Sequence, residues 1–175
     1  GPTSSLSRDG RWLLLGYWID TASNDLWLVD FDRFRRTGTV ERKVVSVGTP
    51  GLGSGTVIDG TLYLHTTKGA PKGRVIAVEA SNPAEARWRT IVPERKDSVI
   101  ESVSFAKGRL AVTYLRNASS AIEVFDLSGA LQGAVALPGI GAASVTTEID
   151  RTEAYLSFTS FNYPPTIFQI DLAAP

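Results

Sequence analysis

The sequence predicts an all-β protein: a β-propeller fragment of about four blades, each a four-stranded antiparallel sheet, the last blade lacking its outer strand. Three observations predict it. Val, Ile, Thr, Tyr, Phe and Trp crowd short segments bounded by turn residues, and helix-length 3.6-residue periodicity is largely missing. A turn signal leading into a strand recurs as DGRWLLL at 9–15, DGTLYLH at 59–65 and KGRLAVT at 107–113, with a fourth copy lacking the glycine, DRTEAYLS, at 150–157. Each copy is followed by a second strand ending on an acid: LWLVD (26–30), VIAVE (75–79), IEVFD (122–126) and IFQID (167–171). The first turn residue precedes that acid by 21, 20, 19 and 21 residues, and successive turn residues lie 50, 48 and 43 apart.

Two further strands fit each interval. An inner strand precedes each turn: SSLS (4–7), GTVI (55–58), ESVSFA (101–106) and ASVTTEI (143–149). An outer strand follows the first three acids: ERKVVSV (41–47), RWRTIV (87–92) and LQGAVAL (131–137). The fourth unit has none, so TIFQIDL (166–172) is the third strand of an incomplete blade. Four antiparallel strands per repeat of this length is the rhythm of a propeller blade. A β-sandwich is the structural rival, but it does not require a constant internal repeat. The expected blades are 1–50, 51–97, 98–139 and 140–175.

Composition narrows the function classes. The chain has 175 residues, 43% apolar and 21% charged, as expected of a soluble globular domain rather than a disordered one. Its longest apolar runs fall short of the ~18 residues of a membrane-spanning helix. Lys+Arg and Asp+Glu both number 18, so neither a nucleic-acid nor a membrane partner is expected. The absence of cysteine rules out disulfides, thiolate metal sites and a cysteine nucleophile. No signal peptide opens the sequence, and a cytoplasmic setting is expected ahead of a secreted one. With no methionine and a Gly1-Pro2 start that matches a cleavage scar, the chain reads as a piece of a longer polypeptide.

Few residues suggest chemistry. His65 is the only histidine, in the alternating strand LYLHTT; a base would need a nucleophile and an orienting acid, and neither is apparent. GLGSGT (51–56) resembles a phosphate-cradling loop but leads into strands, not a helix, so its glycines are expected in an inter-blade connection. Asp30, Glu79, Asp126 and Asp171 recur one per blade, too dispersed for a shared metal; they are expected to accept backbone N–H bonds as the chain turns. No metal and no cofactor are expected. Arg33, Arg35 and Arg36, and the set Arg87, Arg89, Arg95 and Lys96, are interleaved with acids and read as a solvated outer edge. Asn117-Ala118-Ser119 matches a glycosylation acceptor, a pattern common by chance.

Two segments go beyond generic blade chemistry. NPAEARWRTIVPERKDSVIESV (82–103) and FTSFNYPPTIFQIDL (158–172) resemble the propeller of the prolyl oligopeptidase family of serine peptidases, and DGRWLLL with NDLWLVDF (24–31) fits one of its middle blades. The resemblance covers nearly the whole chain and implies the C-terminal half of a seven-bladed propeller, approximately blades four to seven. It implies a role without catalysis: gating the access of short proline-containing peptides to an α/β-hydrolase domain of the same polypeptide, and excluding folded proteins. That domain would carry the Ser, Asp and His triad. This chain has no G-x-S-x-G elbow, since Leu52 stands where the first glycine of GLGSGT would be needed, and is expected to be inactive alone. The alternative is a stand-alone propeller that binds a protein or ligand and belongs to no enzyme.

The resemblance singles out the loop YWIDTASND (17–25), whose family counterpart faces the catalytic domain and often carries an arginine. Here Trp18 stands at the closest position, so the arginine's role does not transfer. Trp18 and Asp20 are the candidate substrate-facing residues, offering a flat apolar surface and one charge. The competing reading packs Trp18 against the next blade. Finally, a run of four blades leaves a bare face at each end, which predicts a homodimer of the isolated chain or an aggregation-prone species.

Overall fold

Alternate residues of the strands turn inward, as a pleated sheet with one apolar face requires. In WLLLGYW, Trp12, Leu14 and Gly16 are buried while Leu13 and Leu15 are partly exposed; in EAYLSFTS, Ala154, Leu156 and Phe158 are buried between exposed neighbours. A computed structural model describes residues 1–175 and arranges these strands in four antiparallel sheets, each in simple sequence order. The first holds β1 (Pro2–Leu6), β2 (Trp12–Trp18), β3 (Asn24–Asp30) and β4 (Arg42–Ser46), with a short helix α1 (Phe31–Thr37) between the last two. The second holds β5 (Gly53–Ile58), β6 (Thr61–Thr66), β7 (Arg74–Glu79) and β8 (Arg89–Val92). The third holds β9 (Val99–Ala106), β10 (Arg109–Arg116), β11 (Ser119–Asp126) and β12 (Leu131–Ala134). The fourth has three strands, β13 (Ala142–Thr146), β14 (Glu153–Ser160) and β15 (Tyr163–Asp171). The chain is an all-β propeller fragment of four sheets.

These sheets form two compact units, Gly1–Pro93 and Glu94–Pro175. In the first unit, Trp12, Leu14, Leu26 and Leu28 of one sheet share a core with Leu62, Leu64 and Ile76 of the next. In the second, Ala111, Ile122 and Val124 share one with Val145, Leu156 and Leu172. Each fully buried Leu or Ile contributes about 1.5–3 kcal/mol through removal from water. Backbone and hydroxyl bonds add register within the second unit: Ser104 Oγ donates to Val145 O at 2.9 Å and Lys107 N to Arg151 O at 3.0 Å.

Turn chemistry sets the hairpins. Asp59 and Gly60, both at positive φ (49° and 76°), form the two-residue turn between β5 and β6, the conformation that favours Asp-Gly. Three of the four recurrent acids accept backbone bonds just beyond their strands. Asp126 takes Ser128 N (2.9 Å) and Ala130 N (3.0 Å), and Asp171 takes Ala173 N (2.9 Å). Asp30 takes Arg33 N (2.9 Å) and thereby caps α1. At Glu79 the backbone carbonyl accepts instead, from Asn82 N at 3.1 Å.

Several expectations are corrected. A helix does occur: Asp30 caps the start of α1, and Gly38, at φ 71°, closes it through a bond from its N–H to Phe34 O. The strand expected over 87–92 starts later, because Glu85–Arg87 make one 3₁₀ turn and the Trp88 indole N–H donates to Pro83 O. The one expected over 131–137 ends at Ala134. Pro164 and Pro165, which the resemblance of 158–172 to the family's last blade implies as a turn, do not form one. Both prolines lie within β15, opposite a register irregularity in β14, on an edge strand where missing N–H groups are tolerated. Gly53 likewise belongs to β5 rather than to a connection, and Gly55 lies in the same strand, as expected of GTVI (55–58).

His65 lies on β6 opposite Ser54 and Val75, with its Nε2 buried and unbonded. Burial pushes its pKa below the ordinary 6.5, so the folded state binds fewer protons than the unfolded one. Its stabilising contribution is therefore present above that value and lost as pH falls through the lower folded one. Urea unfolding between about pH 7.5 and 5 should show the wild type losing more stability than His65→Gln. At neutral pH, Asp30→Ala should cost about 1 kcal/mol in the same measurement, through loss of the α1 cap.

Candidate functional site

The loop between β2 and β3 is short and internally bonded. Asp20 accepts from Ala22 N and from the Ser23 hydroxyl, both at 2.8 Å, and Ile19 N donates to Ser23 O at 3.1 Å. Those two bonds, the backbone one first, hold the exposed Asp20 carboxyl below its ordinary 3.8, so it is ionised at neutral pH. Trp18, the last residue of β2, is 46% exposed, and its N–H donates to Gly1 O at 2.9 Å. The two sequence candidates thus sit at the same end of the first sheet, one apolar and flat, the other anionic.

Behind them the loop is fastened to the second sheet. Asn24, only 6% exposed, donates through Nδ2 to Gly53 O and accepts through Oδ1 from Gly53 N, each at 2.8 Å. Its own N–H donates to Gly51 O (3.2 Å), and Ser23 forms an isolated parallel bridge with Gly51. A pocket of about 230 Å³ opens beside this junction, lined by Trp18, Asn24, Leu14, Leu26 and the hydroxyl residues Ser4 and Ser5. Sequence reading missed Asn24. Nothing beside it in sequence marks it, because its partner lies 29 residues away.

The remaining candidates stay apart. His65 keeps its Nε2 buried and unbonded, with Ser54 and Val75 rather than an acid opposite it on the neighbouring strands. The four recurrent acids lie one per sheet, and no three His, Cys, Asp or Glu residues come together as a metal site requires. Asn117 and Ala118, at φ 49° and 61°, form the tight turn between β10 and β11.

Arg95 departs from the solvated edge assigned to it. Its guanidinium makes a two-pronged bond to the Glu123 carboxylate, with Nη2 to Oε1 at 3.2 Å, and stands 4.4 Å from the centre of the Tyr114 ring. The Tyr114 hydroxyl is buried and unbonded, and burial, partly opposed by Arg95, pushes its pKa up to about 12. The linker residue Arg95 therefore locks onto its own unit, a role that local charge interleaving does not reveal. The signal lies at long range, in an acid 28 residues downstream on β11.

Comparison with known proteins accounts for this architecture. Residues 3–175 match the family described as prolyl oligopeptidase, N-terminal beta-propeller domain. The prolyl endopeptidase of Elizabethkingia miricola is 30% identical over 172 residues, covering 95% of this chain and 23% of its own. The dual function macrocyclase-peptidase POPB of Galerina marginata is 31% identical over 172 residues, covering 97% and 23%. A structure from a study of two prolyl endopeptidases and their inter-domain dynamics superposes with a TM-score of 0.91 at 32% identity, over 98% of this chain and 25% of that one. Prolyl oligopeptidase B from Galerina marginata, bound to a 35mer hydrolysis and macrocyclization substrate, superposes at 0.88 with 27% identity, over 100% and 25%. The chain thus spans about a quarter of the length of these relatives. With a family match over nearly every residue and the same fold, it belongs to the prolyl oligopeptidase family, within the N-terminal β-propeller domain.

Proposed function

We propose that this chain is the C-terminal half of the propeller of a prolyl oligopeptidase-like serine peptidase. It gates the access of short, proline-containing peptides to an α/β-hydrolase domain of the same polypeptide and keeps folded proteins out. The observation that carries the reading is the loop at residues 19–23: a bonded, ionised Asp20 beside a half-exposed Trp18, at one end of a sheet whose family relatives act on peptides. A tryptophan with an open face offers a peptide side chain a large rigid contact with little ordering cost, and the carboxylate selects against anionic neighbours.

The full-length polypeptide tests this. Trp18→Ala should raise KM for short prolyl peptides about two- to tenfold with little change in kcat, the pattern of lost uniform binding. An unchanged KM returns Trp18 to a packing role. Absence of any hydrolase domain from the polypeptide would favour a stand-alone interaction propeller.

We further propose that the isolated chain self-associates. The outward face of the fourth sheet exposes Tyr155 (54%) and Ile167 (69%), and β1 is exposed along its whole length at the edge of the first. Light scattering on a sizing column should give twice 18.8 kDa or larger species; a cooperatively folded monomer rejects the idea.

A further inference from the structure

We infer that Asn24 is a positioning residue, clamping the loop 19–23 onto the second sheet so that Trp18 and Asp20 are presented on a fixed rim. The inference rests on the reading that these two residues face the substrate.

The geometry is that of a strand partner made from a side chain. In an antiparallel ladder one residue exchanges both its N–H and its C=O with the residue opposite. Here the Asn24 amide exchanges both groups with Gly53, at 2.8 Å each, across the junction of the first two sheets. Only an amide supplies a donor and an acceptor in one plane: an ionised carboxylate has no donor, and a hydroxyl is a single atom. Gly53 completes the fit, because a Cβ there would stand 2.7 Å from Leu26 Cδ1. Asn24 is nearly inaccessible to water, so neither bond has a solvent substitute.

The clamp continues into the loop. Asn24 N–H reaches Gly51 O, and Ser23 bridges to Gly51. Gly51 is itself pinned: its φ is 135°, and a Cβ there would meet the Lys68 backbone at 2.8 Å. From Ser23 the bonds run through its hydroxyl to Asp20 and through its carbonyl to Ile19 N, one residue from Trp18. A chain of polar contacts thus joins the second sheet to the loop beside Trp18, and Asn24 supplies the buried one.

Amide hydrogen exchange on the intact chain tests this with two variants. Asn24→Ala removes both bonds, and protection at Gly53, Ile19 and Ala22 should fall about tenfold or more while Val112 and Ile122 of the other unit keep theirs. Asn24→Asp at neutral pH keeps an acceptor for Gly53 N–H but sets its second oxygen against Gly53 O without a proton to donate, and should deprotect Ile19 and Ala22 as the alanine variant does. Protection should return as pH falls through the carboxylate range and the proton restores the donor. That acid rescue is a readout ordinary packing would not move, and it carries the test if the alanine variant does not fold. Unchanged loop protection, loss spread evenly over the unit, or no recovery on acidification overturns the clamp. Kinetics of the full-length polypeptide separate the two readings. If Asn24→Ala deprotects the loop but Trp18→Ala leaves KM unchanged, the clamp stands and the substrate-facing role falls. If Trp18→Ala raises KM while exchange ignores Asn24, the reverse holds.

Discussion

Burial of one sheet face against the next is the constraint from which the rest follows. The sheets of this sequence carry leucine, isoleucine and valine on the inward side of their central strands, and that side has no stable exposure to water. Leu28 pairs its sheet with Leu62, Leu64 and Ile76 of the following one, and Ile122 does the same for Leu156. Polar devices join the packed sheets: the Asn24–Gly53 exchange in the first unit and the Ser104–Val145 bond in the second. Polar bonds fix the register; apolar area supplies the stability.

The outer strands show what that division costs. In each of the three four-stranded sheets the pairing of the third strand with the fourth slips, at Leu26/Trp27, at Val75/Ile76 and at Val124/Phe125. A bulge there adds twist and bends the outer strand away from the line of the inner three. The acids at the ends of the third strands sit a few residues from these slips. Asp30, Asp126 and Asp171 reclaim backbone donors that the irregular turns would otherwise leave unpaired.

The repeat was legible because it is written in local terms. Asp-Gly turns, alternation in WLLLG and EAYLSF, and an acid some twenty residues on are each short-range signals that hairpin geometry enforces. The last sheet's missing strand could be read the same way. Local signals do not cover α1, whose Asp30 cap and Gly38 stop are split by a segment too short and too polar for periodicity to register. They also leave Pro164-Pro165 ambiguous, since a turn and an edge strand share that composition. At the candidate site, the resemblance of the loop 17–25 to its family counterpart leads to Trp18 and Asp20. Asn24 and Arg95 do not, because each acts through a partner 28 or 29 residues away. Contacts at that separation are created by the packing of sheets and leave no mark on the neighbouring sequence.

The two prolines of β15 give its free edge a polarity along its length. Of two adjacent residues in a strand, one turns its amide toward β14 and the other away, so consecutive prolines remove a donor from both sides. From Thr166 to Asp171 the outward edge keeps its full alternation of donors and acceptors; before it, the ladder is broken. A strand added here, whether of the same chain or a foreign one, therefore finds its complete set of bonds at the Asp171 end and one donor short at the prolines. That gap denies a growing fibril the uninterrupted template it needs.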